Sequence, residues 1–476
     1  MTSRYFSLLL PVLFAVPAAA QTQDSLPLSL EAAVDRVLQV GDEVLLANAQ
    51  LDLAGAQMTA ARASTLPQLR LSSTYSHILE NARAQAVGQI FNQPNTYNTN
   101  INLSQTLFQG GRALGGTRAA LRLRSASRLT VQEARNNASY GVQQAYLQAL
   151  FAQQLADIQG ANLQLAEAQL KQVMQFESSG RAARYDVLRA RVQRANIEPQ
   201  LIQARTDADI ALLELKRLTN IPASQPLRLT TRLDAHSVSG LVTLVAQQTA
   251  PVDERPSVQA ARLTAEARHI AIGVARADML PTVNVFFQTG YQAFPRNNVF
   301  PRRTGELELV PCTTSSTGFC NVQNGGWFSD RSMGVQVSWP IFDGLRAKGN
   351  IDAAQAQAKI ADLQLSQERA AVAIEIEQAR SNFDLARALF AAQQQNASEA
   401  GEAFRLASLR FTRGLSTQLD VSDAQIALMT ARTNEARSVY DLYLALAELA
   451  RAQGKPIPLP QQVGVVPVKS TEQNNP

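Results

Sequence analysis

Tyr97-Asn98-Thr99-Asn100-Ile101-Asn102-Leu103-Ser104-Gln105-Thr106-Leu107-Phe108-Gln109-Gly110 is the stretch that decides the fold. Within it Tyr97, Thr99, Ile101, Leu103 and Leu107 alternate with Asn98, Asn100, Asn102, Ser104 and Thr106. Alternation with period two predicts a strand that turns one face to an apolar medium and the other to water. The stretch ends on Phe108-Gln109-Gly110, and no proline follows until Pro199. The chain therefore passes here from a strand into a very long helix.

The junction recurs. Phe108-Gln109-Gly110 matches Phe342-Asp343-Gly344 at an offset of 234, which also carries Gly180 onto Gly414, Asp186-Val187 onto Asp420-Val421 and Pro222 onto Pro456. Upstream, Leu66-Pro67 matches Leu280-Pro281 at an offset of 214. The chain thus reads as an internal two-fold repeat, with an insertion of 20 residues in the 294–330 loop of the second half. Each half opens with a helical segment, residues 29–64 and 256–279. Two strands follow in each, about 68–80 and 96–108, then about 281–293 and 331–341. In the second half Val283, Val285, Phe287 and Tyr291 alternate with Thr282, Asn284, Gln288 and Gln292. Met333, Val335, Val337 and Trp339 do so with Ser332, Gly334, Gln336 and Ser338, while Leu69, Leu71 and Tyr75 mark a weaker alternation.

These strands fit a soluble sheet or a membrane barrel. Their Asn, Gln, Ser and Thr face suits a wet lumen better than a packed core, which favours the barrel. Four strands are too few to close one, so such a chain must oligomerise, and three copies would supply twelve.

Helical hairpins are expected over 110–220 and 344–454. Leu147, Phe151, Leu155, Ile158, Ala161, Leu165 and Ala168 step by three and four, as do Ala424, Leu428, Ala431, Leu442, Leu446 and Leu449. Such spacing marks a helix with one buried stripe. The run 110–178 would be about 100 Å long at 1.5 Å per residue, a length no globular core needs. Gly180 and Gly414 each break a helix, since glycine takes the positive φ that ends one. The hairpin tips, 177–186 and 411–420, therefore lie far from the strands.

Composition agrees. Charged residues make up 17% and aromatics 6%, which suits long helices packed through small side chains rather than a compact enzyme core. Arg4, the apolar run Phe6–Val16 and Ala18-Ala19-Ala20 read as a signal peptide over residues 1–20, cleaved before Gln21. No later segment is apolar enough for a transmembrane helix. The net charge of +5 is spread along the helices without a dense basic block, so no nucleic-acid footprint is visible. Cys312 and Cys320 share one loop of an exported chain, and a disulfide between them is expected. No metal set accompanies them, and no cofactor motif is present. Gly344 to Gly349 imitates a phosphate loop, but Asn350 stands where Lys is required. His77, His236 and His269 are scattered, no nucleophile elbow supports a hydrolase, and the chain does not read as an enzyme.

The order and spacing of these strings resemble the TolC family of outer membrane factors. Leu66-Pro67 and Leu280-Pro281 resemble its entry to each strand pair. Trp339-Pro340-Ile341-Phe342-Asp343-Gly344 resembles its strand-to-helix junction. Phe411-Thr412-Arg413-Gly414 with Leu419-Asp420-Val421 resembles its periplasmic hairpin tip. The resemblance covers residues 21–476. It implies a homotrimer with a twelve-stranded barrel in outer membrane lipid and a twelve-helix tunnel across the periplasm, docked to a periplasmic adaptor and an inner-membrane transporter. The chain would divide into repeats 21–255 and 256–456, with 223–255 and the tail 457–476 as an equatorial belt. The implied function is a passive efflux or type I secretion conduit. A structural or adhesive trimeric coiled-coil envelope protein is the alternative, disfavoured by the duplicated strand pairs.

By the same resemblance, Asp420 and Asp423 would narrow the periplasmic entrance with two carboxylate rings, and Asp186 would help hold the gate by polar bonding. Like charges that converge raise one another's pKa and attract cations. The adaptor would dock at Gly180, Arg184, Phe411, Arg413, Gly414, Leu415 and Ser416. Ser416 stands where the family's best-known member has an Arg; Arg184 and Arg413 are nearby. Other readings remain open: Asp186 suits a helix cap, and Thr417 with Asp420 a capping box.

Overall fold

A computed structural model describes residues 25–80, 82–87, 93–231, 251–295, 300–301, 306–311, 319–324 and 326–455. The expected signal peptide, most of the 223–255 belt segment, the 457–476 tail, His236 and Cys312 lie outside these residues. Cys320 lies on a described strand, its side chain outside the described set.

In chain order the elements are β1 (Leu26–Leu28), α1 (Leu30–Val40), α2 (Asp42–Ala63), β2 (Gln68–His77), α3 (Ala82–Val87), β3 (Asn95–Gln109), α4 (Arg112–Ser178) and α5 (Arg184–Leu218). There follow β4 (Leu227–Leu229), α6 (Pro256–Arg276), β5 (Thr282–Ala293), β6 (Glu306–Pro311), β7 (Phe319–Asn324), β8 (Phe328–Ser338), α7 (Arg346–Thr412) and α8 (Gln418–Ala452). The protein is mainly helical. None of the described helices is long and apolar enough to cross a membrane.

Three details depart from the sequence reading. The 29–64 helix is divided at Gly41, whose backbone is extended. The 294–330 loop contains its own hairpin, in which β6 pairs antiparallel with β7 and Val310 faces Cys320. The buried stripe of α4 near the tip runs through Asn162, Ala166, Gln169 and Val173 instead of Ala161, Leu165 and Ala168. Below Phe151, α4 packs against both α5 and α8, so its inward face is wider and more polar than one apolar stripe.

β2, β3, β5 and β8 form one antiparallel sheet in that order. The register slips at Leu107, between Thr106 and Phe108, which is a β-bulge where the strand prepares to leave the sheet. Leaving it requires left-handed backbone: Gly110 and Gly111 have φ of 61° and 83°. At the second junction the same turn is made by Gly344 and Leu345, with φ of 71° and 67°. There Trp339 Nε1 donates to the Met279 carbonyl at 3.2 Å, and the Asp343 carboxylate accepts from the Ala347 amide at 2.8 Å.

α4 and α7 each run for 67 residues, about 100 Å at 1.5 Å per residue. Each returns through a 35-residue partner, α5 or α8. Buried alanines such as Ala149, Ala152, Ala358 and Ala379 let the helices approach closely. Leu147, Phe383, Leu442, Leu446 and Leu449 form one core between α4, α7 and α8. A second core gathers Val34, Val37, Val142, Tyr146 and Leu215, with the Tyr146 hydroxyl donating to the Leu28 carbonyl at 2.8 Å.

Gly290 in β5 faces Asn100, where a Cβ would lie 2.3 Å from the Thr99 carbonyl oxygen and 2.7 Å from Asn100 Cα. The obstacle is backbone, which cannot swing aside. Gly290→Ala should therefore destabilise the sheet by about 2 kcal/mol or more. The check is the heat resistance of the assembled protein on a gel: an unaltered unfolding temperature would refute the clash.

Candidate functional site

The sheet has two unlike faces. On one, register aligns Leu69, Leu103, Phe287 and Met333 in a row, with Leu71 and Ile101 in the next and Val285 beside Val335 below. Most of these side chains are exposed in a single chain: Leu69 is 72% exposed, Met333 83% and Val335 64%. At the end remote from the helices the rows finish in Tyr75, Tyr97 and Tyr291, with Tyr75 and Tyr97 rings 4.7 Å apart. At the helix end lie Trp339 and Phe342, both exposed. From the level of Trp339, one step past the Thr282–Ser338 pair, to Tyr291 is about ten residues along this face. That is roughly 34 Å along the strand and about 26 Å along the normal of a barrel tilted by 40°. An apolar band of about 25 Å between aromatic girdles is the signature of a lipid-facing barrel wall.

The other face carries Asn98, Asn100 and Asn102, with Ser72, Gln288 and Gln336 beside them. Ser72 donates to Asn100 at 2.7 Å. Phe286 and Phe328 are apolar exceptions; the Phe286 ring lies over Gly334, where an added Cβ would come within 3.0 Å of it. β2 and β8 are the edges of the sheet, and neither pairs further within the described residues.

The other end of the molecule is built by two similar turns. Gly180 and Gly414 have φ of 76° and 72°. The Arg181 amide reaches back to the Phe176 carbonyl at 2.8 Å, and the Leu415 amide to the Arg410 carbonyl at 2.9 Å, closing each helix with a left-handed glycine cap. Phe176 and Phe411 meet at 5.6 Å between ring centres, so the two tips touch. Arg181 lies over the Phe176 ring at 4.3 Å. Arg184, Arg413 and Leu415 are exposed. Ser416 donates weakly to the Ala407 carbonyl at 3.4 Å, and so ties the tip to its own hairpin.

The acidic residues divide by role. Asp186 accepts from the Ala183 amide at 3.0 Å. Asp420 accepts from the Thr417 amide at 2.8 Å and its hydroxyl at 3.0 Å, a capping box that starts α8. Those bonds hold the Asp420 carboxyl below the usual carboxylate range within one protomer. Asp423, one turn on, makes no such bond. It is exposed and lines a groove of about 610 Å³ between α5 and α8, together with Arg189, Val192 and Asn196. The floor of this groove is a chain of amides absent from the sequence reading. Gln425 donates to Asn162 Oδ1 at 2.7 Å and accepts from Gln193 at 3.4 Å, while Ser422 donates to Gln193 at 2.5 Å. Gln425 and Ser422 are buried. The only sequence signal is an amide on a buried helical stripe, which looks like surface until the partner helix is known.

Residues 33–220 and 252–455 match the family model of outer membrane efflux proteins. The chain belongs to that family. An outer membrane efflux protein sits in the outer membrane and extends into the periplasm, so the exposed apolar band and the distant tips fall at the two ends of one axis. This efflux protein is 23% identical over 430 residues to the cobalt-zinc-cadmium resistance protein CzcC of Cupriavidus metallidurans, with 90% of each chain covered. Its fold is that of VceC from Vibrio cholerae, with a TM-score of 0.70, 21% identity, and 90% and 97% of the two chains covered. The Campylobacter jejuni CmeC channel is similar, with a TM-score of 0.71, 17% identity, and 89% and 85% covered. Among the described residues no cluster of His, Cys, Asp and Glu could hold a metal ion.

Proposed function

We propose that the protein is the passive outer membrane duct of a tripartite efflux or type I secretion assembly. In this reading three copies join β8 of one to β2 of the next and close a twelve-stranded barrel. The observation that carries it is the sheet itself: one apolar face, one amide-rich face, two open edges and too few strands to close alone. The equal lengths of α4 and α7, and of α5 and α8, support an internal duplication that gives each protomer two hairpins of the tunnel wall. The tips, with Gly180, Arg184, Phe411, Arg413, Gly414, Leu415 and Ser416, receive a periplasmic adaptor bridging to an inner-membrane transporter. Asp420 and Asp423 form carboxylate rings at the entrance, and Asp186 steadies the neighbouring hairpin. Cargo is chosen by the pump, since a wall of amides and hydroxyls discriminates little.

The test is single-channel recording of the purified protein in a planar bilayer, with its mass measured in detergent. A trimer giving small, steady conductance is the expected result; a monomer, or a trimer that never conducts in any variant, would sink the reading. The proposed Cys312–Cys320 disulfide lies on the exterior loop and is checked separately. Thiol labelling of intact, unreduced cells should be negligible and should appear after reduction.

A further inference from the structure

The apolar face of the sheet carries a single charged side chain among its described strand residues: Arg331 on β8. Register sets Arg331 beside Thr289, and Thr289 beside Ile101. On the side toward the helices the strand continues through Met333, Val335 and Val337; on the other side the next row reaches Tyr291. Arg331 thus stands one row beneath the aromatic belt, in the half of the strand remote from the tunnel.

Nothing among the described residues neutralises it. Arg331 is exposed and pairs with no described acid. Asp330 belongs to the opposite face, where Gln292 donates to it at 3.1 Å. A neighbouring copy joining at β8 through its β2 brings no carboxylate, because the apolar face of β2 is Leu69, Leu71, Ser73, Tyr75 and His77.

An arginine on a lipid-facing wall is costly at mid-bilayer and nearly free at headgroup depth. Its long stem lies along apolar surface while the guanidinium reaches the polar layer. Aromatic belts mark that layer. Of the groups found there, phosphate matches the guanidinium best, accepting two parallel hydrogen bonds from its planar fork. We propose that Arg331 binds the phosphate of an outer-leaflet lipid headgroup and so fixes that lipid against β8. The proposal rests on the reading of this face as the barrel's lipid side.

Native mass spectrometry of the purified trimer tests it, with wild type, Arg331→Gln and Arg331→Lys each titrated with bis-phosphorylated lipid A, dephosphorylated lipid A and inorganic phosphate. Wild type should retain the phosphorylated lipid roughly fivefold more tightly than Arg331→Gln, with Arg331→Lys between them because it keeps the charge but not the fork. Dephosphorylated lipid should not distinguish the three, and millimolar inorganic phosphate should not displace the lipid. Equal retention by wild type and Arg331→Gln would overturn the proposal. So would equal preference for dephosphorylated lipid, or displacement by free phosphate. If Arg331→Gln fails to assemble, Arg331→Lys against wild type supplies the comparison. Channel recording of the same samples separates the two readings: conducting trimers with equal lipid retention sink only the lipid site, whereas samples that never conduct sink the duct.

Discussion

Arg255→Ala is expected to lower the stability of each protomer by about 3–5 kcal/mol. Arg255 starts α6 and is only 5% exposed. Its guanidinium donates to Glu133 of α4 at 2.8 Å, to Glu375 of α7, and to the Ala452 carbonyl at the end of α8 at 3.2 Å. Arg451 of α8 grips the second oxygen of Glu375 at 2.5 Å. Four helices are therefore tied by one side chain. Burial disfavours its charge, but its bonds to Glu133 and Glu375 more than offset that and leave its pKa raised.

Removing the guanidinium strands Glu133 where water is scarce and leaves Glu375 held by Arg451 alone. Glu133 already has an oxygen, Oε2, without a partner. A broken buried pair costs more than the intact pair contributes, because the surviving charge keeps its desolvation penalty. Two variants separate these terms. Arg255→Lys keeps the charge and loses the fork, so it should fall between wild type and Ala. Arg255→Met with Glu133→Leu removes the stranded charge while Glu375 keeps Arg451, and should recover much of the loss. The denaturant midpoint of the detergent-solubilised protein reads all three. A midpoint for Arg255→Ala equal to wild type would show that the knot contributes nothing to stability.

How far the fold was legible follows from which patterns are local. Strand alternation has period two, so Ile101 and Leu103 announce their face without knowledge of the partner strand. Helix length was legible because a proline-free run needs no partner to define it. Arg255 is the opposite case: Glu133 and Glu375 lie 122 and 120 residues away, and nothing near Arg255 in the chain marks it as buried. Asn162 and Gln425 were hidden in the same way, their partnership spanning 263 residues. The bulge at Leu107 was invisible because it depends on how β3 must turn to meet Val283 of β5. At the tips, the spacing of Thr417 and Asp420 announced a cap correctly, but it could not separate Asp420 from Asp423. Only the three-dimensional bonds assign the cap to one and leave the other to face the groove.

That division shapes the second large effect: Asp420→Asn with Asp423→Asn should raise single-channel conductance severalfold and abolish most block by multivalent cations. The choice of Asn matters. Asp420 holds the start of α8 by accepting two hydrogen bonds from Thr417, and an Asn carbonyl oxygen can accept them too. Asn therefore removes charge while largely preserving the cap, whereas Ala would remove both. Single variants then carry separate meanings. Asp423 has no capping role, so Asp423→Asn reports ring charge alone. Asp420→Ala would fray the first turn of α8 and loosen the tip without regard to charge. If the entrance is closed by packing of the tips, Asp420→Ala will open it and the Asn pair will not. If carboxylate rings set the barrier, the Asn pair will release cation block in full, and Asp423→Asn will release part of it. Unchanged conductance and block in the Asn pair would remove both residues from the pore and leave Asp420 as a helix cap only.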